Sequence, residues 1–264
     1  MPTKIKLMAC EALRAETERL IADLGLGAGI DAEWLEMGLH QNPESLKLEL
    51  RTRLRALAGA GYETVLLLFG LCGRATDGLE PPPGARLVIP RVHDCVSIFL
   101  GSARRYLEEH AAESGTYWFS RIFLHRPDRP SPGMDGFGSN WRNLFPDAGE
   151  PPATMEEARQ RLIERYDEDN AEYLIETLAA SWRQSYSRAV YLDWKDSPER
   201  EEDLVLARSE AERNGWRFQT LPVDLRLIRM LLSGDWPEDE FVIAVPGQRL
   251  EATNGEDALR ASGG

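Results

Sequence analysis

The residues best suited to chemistry in this sequence are its three cysteines and the histidines near them. Cys10, Cys72 and Cys95 each stand just after an apolar run, where a strand is expected to end. His93 lies two residues before Cys95, and His40 holds a similar place after the second predicted strand. Thiolates and imidazoles are the ligands that zinc and other soft transition metals prefer. The residue types therefore predict a metal site.

The predicted ligand set is Cys72, His93 and Cys95, with Cys10 or His40 as a fourth ligand. In an extended segment, residues two apart point to the same face, so His93 and Cys95 can reach one ion. Asp94 between them is expected to point away or to cap the helix that follows. Zinc takes four protein ligands in a closed site, or three and a water or substrate in an open one.

The same residues also support readings without a metal. Cys95 is expected at a helix N-terminus beside His93, and both features lower the pKa of a thiol, as a Cys–His nucleophile requires. Cys72 and Cys95 could instead form a redox pair. Free cysteines are also often buried as small apolar side chains with no chemical role.

Further residues are expected to line the same cleft. The predicted catalytic residues are Glu11 and Asp94, and the predicted cofactor-binding residues are Gly70, Gly73, Ser102 and Tyr117. The two glycines flank Cys72 and would let backbone approach a ligand, or would supply a positive φ. Ser102 precedes a pair of arginines that could hold an anion, and Tyr117 belongs to an aromatic stretch that could form the wall of a pocket. Glu11 has a structural alternative, because a carboxylate in the first turn of a helix interacts favourably with the helix dipole.

The elements that must position these residues follow from hydrophobic periodicity. Strands are predicted at Lys4–Met8, Ile30–Met37, Thr64–Phe69, Arg86–Ile89, Thr116–Phe123, Ala189–Leu192, Trp216–Val223 and Phe241–Val245. Helices are predicted at Glu11–Leu24, Pro43–Ala58, Asp94–Leu107, Met155–Arg183, Ser197–Arg213 and Asp224–Leu232. This alternation predicts a three-layer, Rossmann-like α/β fold, in which a mostly parallel sheet has helices on both faces. Ligands of such sheets bind beyond the carboxyl ends of the strands.

The chain of 264 residues is expected to form a single α/β domain over residues 1–250. Residues 126–154 are rich in Pro, Gly, Asp and Ser, which predicts a long loop or lid. The polar residues 251–264 are expected to form a flexible tail.

The charge balance limits the classes of partner. Lys and Arg number 31 against 44 Asp and Glu, so the formal net charge is −13. Nucleic acids and anionic membranes attract clustered Lys and Arg, so neither is an expected partner. The charge balance leaves room for a small anionic ligand held by a few local groups, and the expected partner is a small-molecule substrate. Neither a signal peptide nor a transmembrane helix is expected, and three cysteines are too few for a disulfide scaffold. The protein is therefore expected in the cytoplasm with reduced thiols.

Several short segments together resemble one known family. They are ACE (Cys10, Glu11), LHQNP (His40 to Pro43), GLCG (Gly70 to Gly73), IPRVHDC (Ile89 to Cys95), LGS with Tyr106, and GTYW (Gly115 to Trp118). The chain resembles, over roughly residues 5–245, a family of bacterial and archaeal proteins catalogued only as a domain of unknown function. GLCG and HDC are the most specific of these segments.

The resemblance implies a link to corrinoid-dependent methyl transfer, since members of that family often accompany such proteins. Zinc-dependent methyltransferases similar to the uroporphyrinogen decarboxylase family bind zinc through a His-x-Cys pair and another Cys. His93, Cys95 and Cys72 offer the same ligand types in a different order. The expected function is therefore metal-dependent methyl or alkyl transfer that involves a thiol substrate or a corrinoid protein partner. The alternative is an accessory protein that binds and delivers a metal or cofactor without turnover.

Overall fold

A computed structural model of the chain describes residues 4–37, 39, 42–125, 155–253, 255 and 257–263. The described residues contain ten strands: β1 Ile5–Cys10, β2 Ile30–Leu35, β3 Thr64–Leu68, β4 Arg86–Pro90, β5 Thr116–Phe119, β6 Arg188–Asp193, β7 Arg217–Pro222, β8 Phe241–Ala244, β9 Gln248–Ala252 and β10 Leu259–Gly263. Their α-helices are α1 Arg14–Asp23, α2 Pro43–Ala56, α3 Cys95–Phe99, α4 Ala103–Ala112, α5 Arg121–Leu124, α6 Met155–Arg165, α7 Glu168–Gln184, α8 Arg200–Asn214 and α9 Arg226–Ser233.

The chain divides into two compact units. The first unit comprises Met1–Ala112 and Pro222–Gly264, and the second comprises Glu113–Leu221. The predicted loop or lid at residues 126–154 lies outside the described residues. Among the helices that are described, none is long and apolar enough to cross a membrane.

The first unit is built on a five-stranded sheet in the order β2-β1-β3-β4-β8. β2, β1, β3 and β4 run parallel, and β8 pairs antiparallel with β4 at one edge. Buried leucines of α2 pack with Met8, Leu67 and Ile89 in one hydrophobic cluster. Leu66, which alternates with these side chains, is also fully buried, so the middle of the sheet is covered on both faces. The mostly parallel α/β class predicted from the sequence is thereby confirmed.

The second unit has a three-stranded sheet in the order β5-β6-β7, with β5 and β6 parallel. Its core contains Phe119, Tyr191 and Trp216, and α8 packs against β6. The sequence predicts one helix from residue 155 to 183, but α6 and α7 are separate helices. Asp167 lies between them, and its carboxylate accepts a hydrogen bond from the amide of Asn170 at 2.9 Å, which fixes a new helix start.

Two further predictions differ from the structure in the first unit. The helix predicted at residues 94–107 divides into α3 and α4, because Gly101 between them has φ +70°. A Cβ at that glycine would lie 2.8 Å from Cγ of Asp224. In place of a flexible tail after residue 250, β9 and β10 form an antiparallel hairpin. Leu250 and Leu259 of the hairpin are fully buried, and this burial stabilises β9 and β10 against the rest of the unit.

Candidate functional site

The three cysteines lie at the carboxyl edge of the main sheet. Cys10 is the last residue of β1, Cys72 follows β3, and Cys95 follows β4 as the first residue of α3. β1, β3 and β4 are neighbouring parallel strands, so their carboxyl ends meet at one edge. The sequence prediction that the strand ends bring these residues together agrees with this topology. His40, the other predicted ligand, lies outside the described residues.

Backbone contacts join the turn after β3 to the segment after β4. The amide of Leu71 donates to the carbonyl oxygen of Val92 at 2.9 Å, and the amide of Cys72 donates to that of His93 at 2.8 Å. Gly70 permits this close approach, since a Cβ there would lie 2.6 Å from the amide nitrogen of Asp94. At Gly70 the close approach is to the chain's own backbone, and the predicted contact of this glycine with a ligand stays a prediction.

Three consecutive residues of the turn have left-handed backbone conformations. The φ angles are +46° at Cys72, +65° at Gly73 and +73° at Arg74. Only glycine adopts this region without strain, and two of the three residues carry a Cβ. A Cβ at Gly73 would also lie 2.8 Å from Cγ of Pro43, the first residue of α2. The strained turn fixes the position of the Cys72 thiol, as is common for residues at functional sites.

The three thiols are free and close enough to affect one another's ionisation. Burial, the Asp94 carboxylate and the Cys10 thiol raise the pKa of Cys72 to about 12, against a weaker opposing hydrogen bond from the backbone at Gly70. Burial, Asp94 and the other two thiols raise the pKa of Cys95 well above its ordinary value. Burial likewise raises the pKa of Cys10. Each thiol is therefore protonated at neutral pH in the absence of a bound cation.

Asp94 caps α3, which is one of the two positions that the sequence predicted for this side chain. Its Oδ1 accepts hydrogen bonds from the amide and the hydroxyl of Ser97 at 3.1 and 3.2 Å. The hydroxyl of Tyr106 donates to the same carboxylate. Burial, the charge of Asp94 and this hydrogen bond all raise the pKa of the Tyr106 hydroxyl. Asp94 is thus held from two elements, α3 and α4.

The ring of Tyr106 links two histidines. Its centroid lies 6.3 Å from that of His93 and 6.2 Å from that of His110, with interplanar angles of 28° and 13°. The buried Nδ1 of His93 has no hydrogen-bond partner among the described residues. Neither Tyr106, which belongs to one of the family motifs, nor His110 is among the site residues predicted from the sequence. Their spacing of four residues, which puts both side chains on one face of α4, is the pattern that could have revealed the pair.

The remaining predicted site residues have structural partners. Glu11 begins a 3₁₀ turn, and its half-exposed carboxylate pairs with Arg14 at 3.3 Å. Ser102 accepts a hydrogen bond from the amide of Arg105 at 3.3 Å, as a residue at the start of α4. Tyr117 belongs to the second unit, where its ring packs against Tyr186 and other aromatic rings. Nothing in these contacts requires a cofactor.

Within the part of the chain that the structure describes, no group of three or more His, Cys, Asp or Glu side chains is arranged to hold a metal ion. The three thiols lie at one edge of the sheet, but they are not arranged as the ligands of one ion. The zinc site therefore stays a prediction.

Residues 34–232 match the model of the DUF1638 family, which is described as a protein of unknown function. The chain belongs to the DUF1638 family. The match covers more than half of the chain, and it confirms the resemblance to a domain of unknown function. The DUF1638 match includes Cys72, His93 and Cys95, whereas Cys10 and Glu11 precede it. No curated protein matches this chain. The association with corrinoid systems stays a prediction.

Proposed function

We propose that this DUF1638 protein binds a soft metal ion, with zinc as the expected ion, through Cys10, Cys72, Cys95 and Nδ1 of His93. The observation that carries the proposal is the convergence of three thiols from three neighbouring strand ends. Nδ1 of His93 supports it: among the described residues it has no hydrogen-bond partner, and a buried ring nitrogen without a hydrogen bond is costly unless a ligand satisfies it.

The electrostatics of the cluster are consistent with this proposal. Three close, partly buried thiolates would repel one another, and loss of solvent would disfavour their charge. A bound dication reverses both effects, since it stabilises thiolates and deprotonates coordinating thiols. To bind one ion, the side chains must turn toward a common point. Each cysteine can do so by rotating about χ1 from one staggered position to another.

We further propose that the site belongs to an enzyme that transfers a methyl or alkyl group to a small-molecule thiol, with a corrinoid protein as the donor. The support for this reaction class is the resemblance in the sequence together with the sulfur-rich donor set. A bound zinc ion would supply Lewis-acid chemistry and hold a substrate thiol as its thiolate. The cytoplasm is the compartment proposed, because it keeps such thiols reduced.

The chain's own residues have distinct tasks in this proposal. The ring of Tyr106 holds the His93 imidazole by stacking, and the hydroxyl of Tyr106 holds Asp94. Asp94 is held by two elements, and its negative charge raises the pKa of both Cys72 and Cys95. We therefore assign the Asp94 carboxylate the role of accepting the proton of the substrate thiol. The Glu11 carboxylate is engaged by Arg14, so we assign the proton transfer to Asp94 and not to Glu11.

The raised thiol pKa values weigh against the metal-free nucleophile. A Cys–His nucleophile needs a lowered thiol pKa, whereas burial raises that of Cys95. The His93 ring stacks on Tyr106, and the causes of the raised Cys95 pKa are burial, the Asp94 charge and the other two thiols.

The test is metal content by elemental mass spectrometry on protein purified without chelator or affinity tag. We expect about one equivalent per chain in the wild type. We expect it to be lost in Cys72→Ser, Cys95→Ser and His93→Gln. His110→Gln is the matched control, because His110 also stacks on Tyr106 but is outside the ligand set, and it should retain the metal.

Circular dichroism shows whether each variant is folded, so loss of metal can be separated from loss of structure. No metal in folded wild-type protein, even after reconstitution with Zn²⁺, would overturn the metal site. If the metal is present, methylcobalamin and homocysteine serve as probes of transfer. Formation of a thioether supports the enzyme, and metal binding without any turnover supports the accessory protein instead.

A further inference from the structure

A second candidate site lies in the first unit, apart from the thiol cluster. It is a groove of about 930 Å³ whose lining includes four arginines, Arg51, Arg55, Arg74 and Arg249, together with Pro81–Pro83. Arg51 and Arg55 are on α2, Arg74 is in the turn after β3, and Arg249 is on β9. No cysteine or histidine lines this groove. Its volume falls within the usual range of small-molecule sites.

Two of the three acidic residues in the lining, Asp77 and Glu251, are engaged by other groups, and neither forms an ion pair with Arg51 or Arg55. Asp77 pairs with Arg74 at 2.9 Å and also accepts from the amide of Ala252. Glu251 pairs with Arg260 at 3.0 Å, and Arg260 is not part of the lining. The carboxylates of Asp77 and Glu251 are therefore already engaged.

Arg51, Arg55 and Arg249 have no ion pair or side-chain hydrogen bond with any described residue. Glu80 is the third carboxylate of the lining; it is exposed and has no ion pair with a described residue. Arg249 shares the charge of the Glu251 carboxylate with Arg260, so Arg51 and Arg55 are left with Glu80, and the lining as a whole holds four arginines and three carboxylates. This excess is notable in a chain of net charge −13, because like charges placed together in a concave surface cost free energy without an anion.

The backbone that carries these arginines is held rigidly. β9 pairs with β10 on one side, and on the other the amide of Gly78 donates to the Leu250 carbonyl at 2.7 Å. The amide of Leu250 donates to the Leu79 carbonyl at 2.8 Å. Arg51 and Arg55 are four residues apart on α2, so they share one face of the helix. A site with a fixed backbone loses less entropy when it binds a ligand.

We propose that this groove binds a small molecule that carries clustered phosphate groups, such as a diphosphate or triphosphate ester. Guanidinium groups bind phosphate oxygens through paired N–H donors, and several arginines favour several adjacent phosphates over a single charge. The concave shape bounded by three prolines favours a compact ligand over an extended acidic segment of another protein. The proposal is independent of the metal site.

The experiment is isothermal titration calorimetry of the full chain with inorganic tripolyphosphate at low salt. The test variant is Arg55→Gln with Arg249→Gln, and the matched control is Arg19→Gln with Arg229→Gln. Arg19 and Arg229 are exposed on α1 and α9 of the same unit, so both double variants change the net charge equally. We expect Kd to rise at least about tenfold in the test variant and by less than about twofold in the control.

Equal weakening in the two double variants would overturn the proposal, because it would show general attraction to surface charge. Absence of binding to the wild type at millimolar tripolyphosphate would also overturn it. Poly-glutamate is titrated in parallel, and binding of that peptide without binding of tripolyphosphate would assign the groove to an acidic protein partner. Melting curves confirm that both double variants remain folded.

Discussion

The backbone amide of Cys72 donates a hydrogen bond to the carbonyl oxygen of His93 over 2.8 Å. This bond joins two segments that are separated in the sequence but follow neighbouring strands, β3 and β4. The Cys72 and Cys95 thiols are therefore held by the main chain, and their positions do not depend on side-chain contacts alone. Any change that separates the two segments should disperse the thiol cluster.

Gly70→Ala tests the close packing of these segments. A Cβ at residue 70 would lie 2.6 Å from the amide nitrogen of Asp94 and 2.8 Å from its Cα, and neither backbone atom can move freely. We expect the free energy of unfolding to fall by about 1–3 kcal/mol, as for other overpacked sites. Urea denaturation followed by circular dichroism measures the change.

Gly27→Ala is the matched control, because a Cβ there has no atom within 4 Å. Its free energy of unfolding should change by less than about 1 kcal/mol. Equal effects of the two substitutions would show that the contact between Gly70 and Asp94 carries no particular strain.

The sequence predicted the sheet class and the clustering of cysteines because both depend on local patterns. Continuous apolar runs such as residues 64–69 indicate parallel strands buried on both faces, and this burial is observed. Once the strands are parallel, residues just after them must share an edge. That argument places Cys10, Cys72 and Cys95 together without knowledge of any distance.

The parts that the sequence did not predict depend on contacts between distant residues. The hairpin of β9 and β10 is stabilised by burial of Leu250 and Leu259, which a polar sequence context conceals. The bond from Tyr106 to Asp94 depends on how α4 returns after the turn at Gly101. In the second unit, Asp203 of α8 contacts Tyr191 of β6 and His125, which follows α5. This Asp203 cluster also joins residues distant in the sequence, and the sequence predicted no role for any of them.

That cluster gives a second prediction. Asp203 is fully buried, and its carboxylate accepts from the Tyr191 hydroxyl at 2.7 Å and contacts Nε2 of His125 at 2.5 Å. We expect Asp203→Ala to lower the free energy of unfolding by about 2–4 kcal/mol, because the buried Tyr191 hydroxyl loses its acceptor. Asp203→Asn keeps an acceptor, so its loss should be smaller.

Urea unfolding measures these losses, and hydrogen exchange in β6 assigns them to the second unit. Glu202→Ala is the control, since Glu202 is exposed on the same helix. A loss for Asp203→Ala no larger than that of the control would contradict the role of the buried carboxylate.

Asp77 predicts how stability depends on pH. Burial works to raise the pKa of Asp77, but the amide of Ala252 and the guanidinium of Arg74 outweigh it, and the net pKa is lowered. A carboxyl group whose pKa is lower in the folded state stabilises the fold above its unfolded pKa of about 3.9. That contribution is lost as the pH falls through the folded pKa.

Asp77→Asn should therefore cost about 1 kcal/mol at pH 7, and the difference from wild type should shrink below about pH 4. The urea midpoints of wild type and Asp77→Asn at pH 7, 5 and 3 measure this difference in stability, and Glu80→Gln is the exposed control. If the difference in stability grew as the pH fell, the pKa of Asp77 would be raised in the folded state and not lowered.

The last prediction concerns the reactivity of the cysteines, which separates the metal site from the metal-free nucleophile. Alkylation requires the thiolate, and burial keeps Cys72 and Cys95 protonated at neutral pH. In folded, chelator-treated protein at pH 7.5, we expect iodoacetamide to modify both at least about tenfold more slowly than free cysteine. Peptide mass spectrometry follows each site, and both cysteines of urea-unfolded protein should react at the rate of free cysteine.

Alkylation of Cys95 faster than free cysteine would instead mean that His93 and the start of α3 activate this thiol. The Cys–His nucleophile would then replace the metal site.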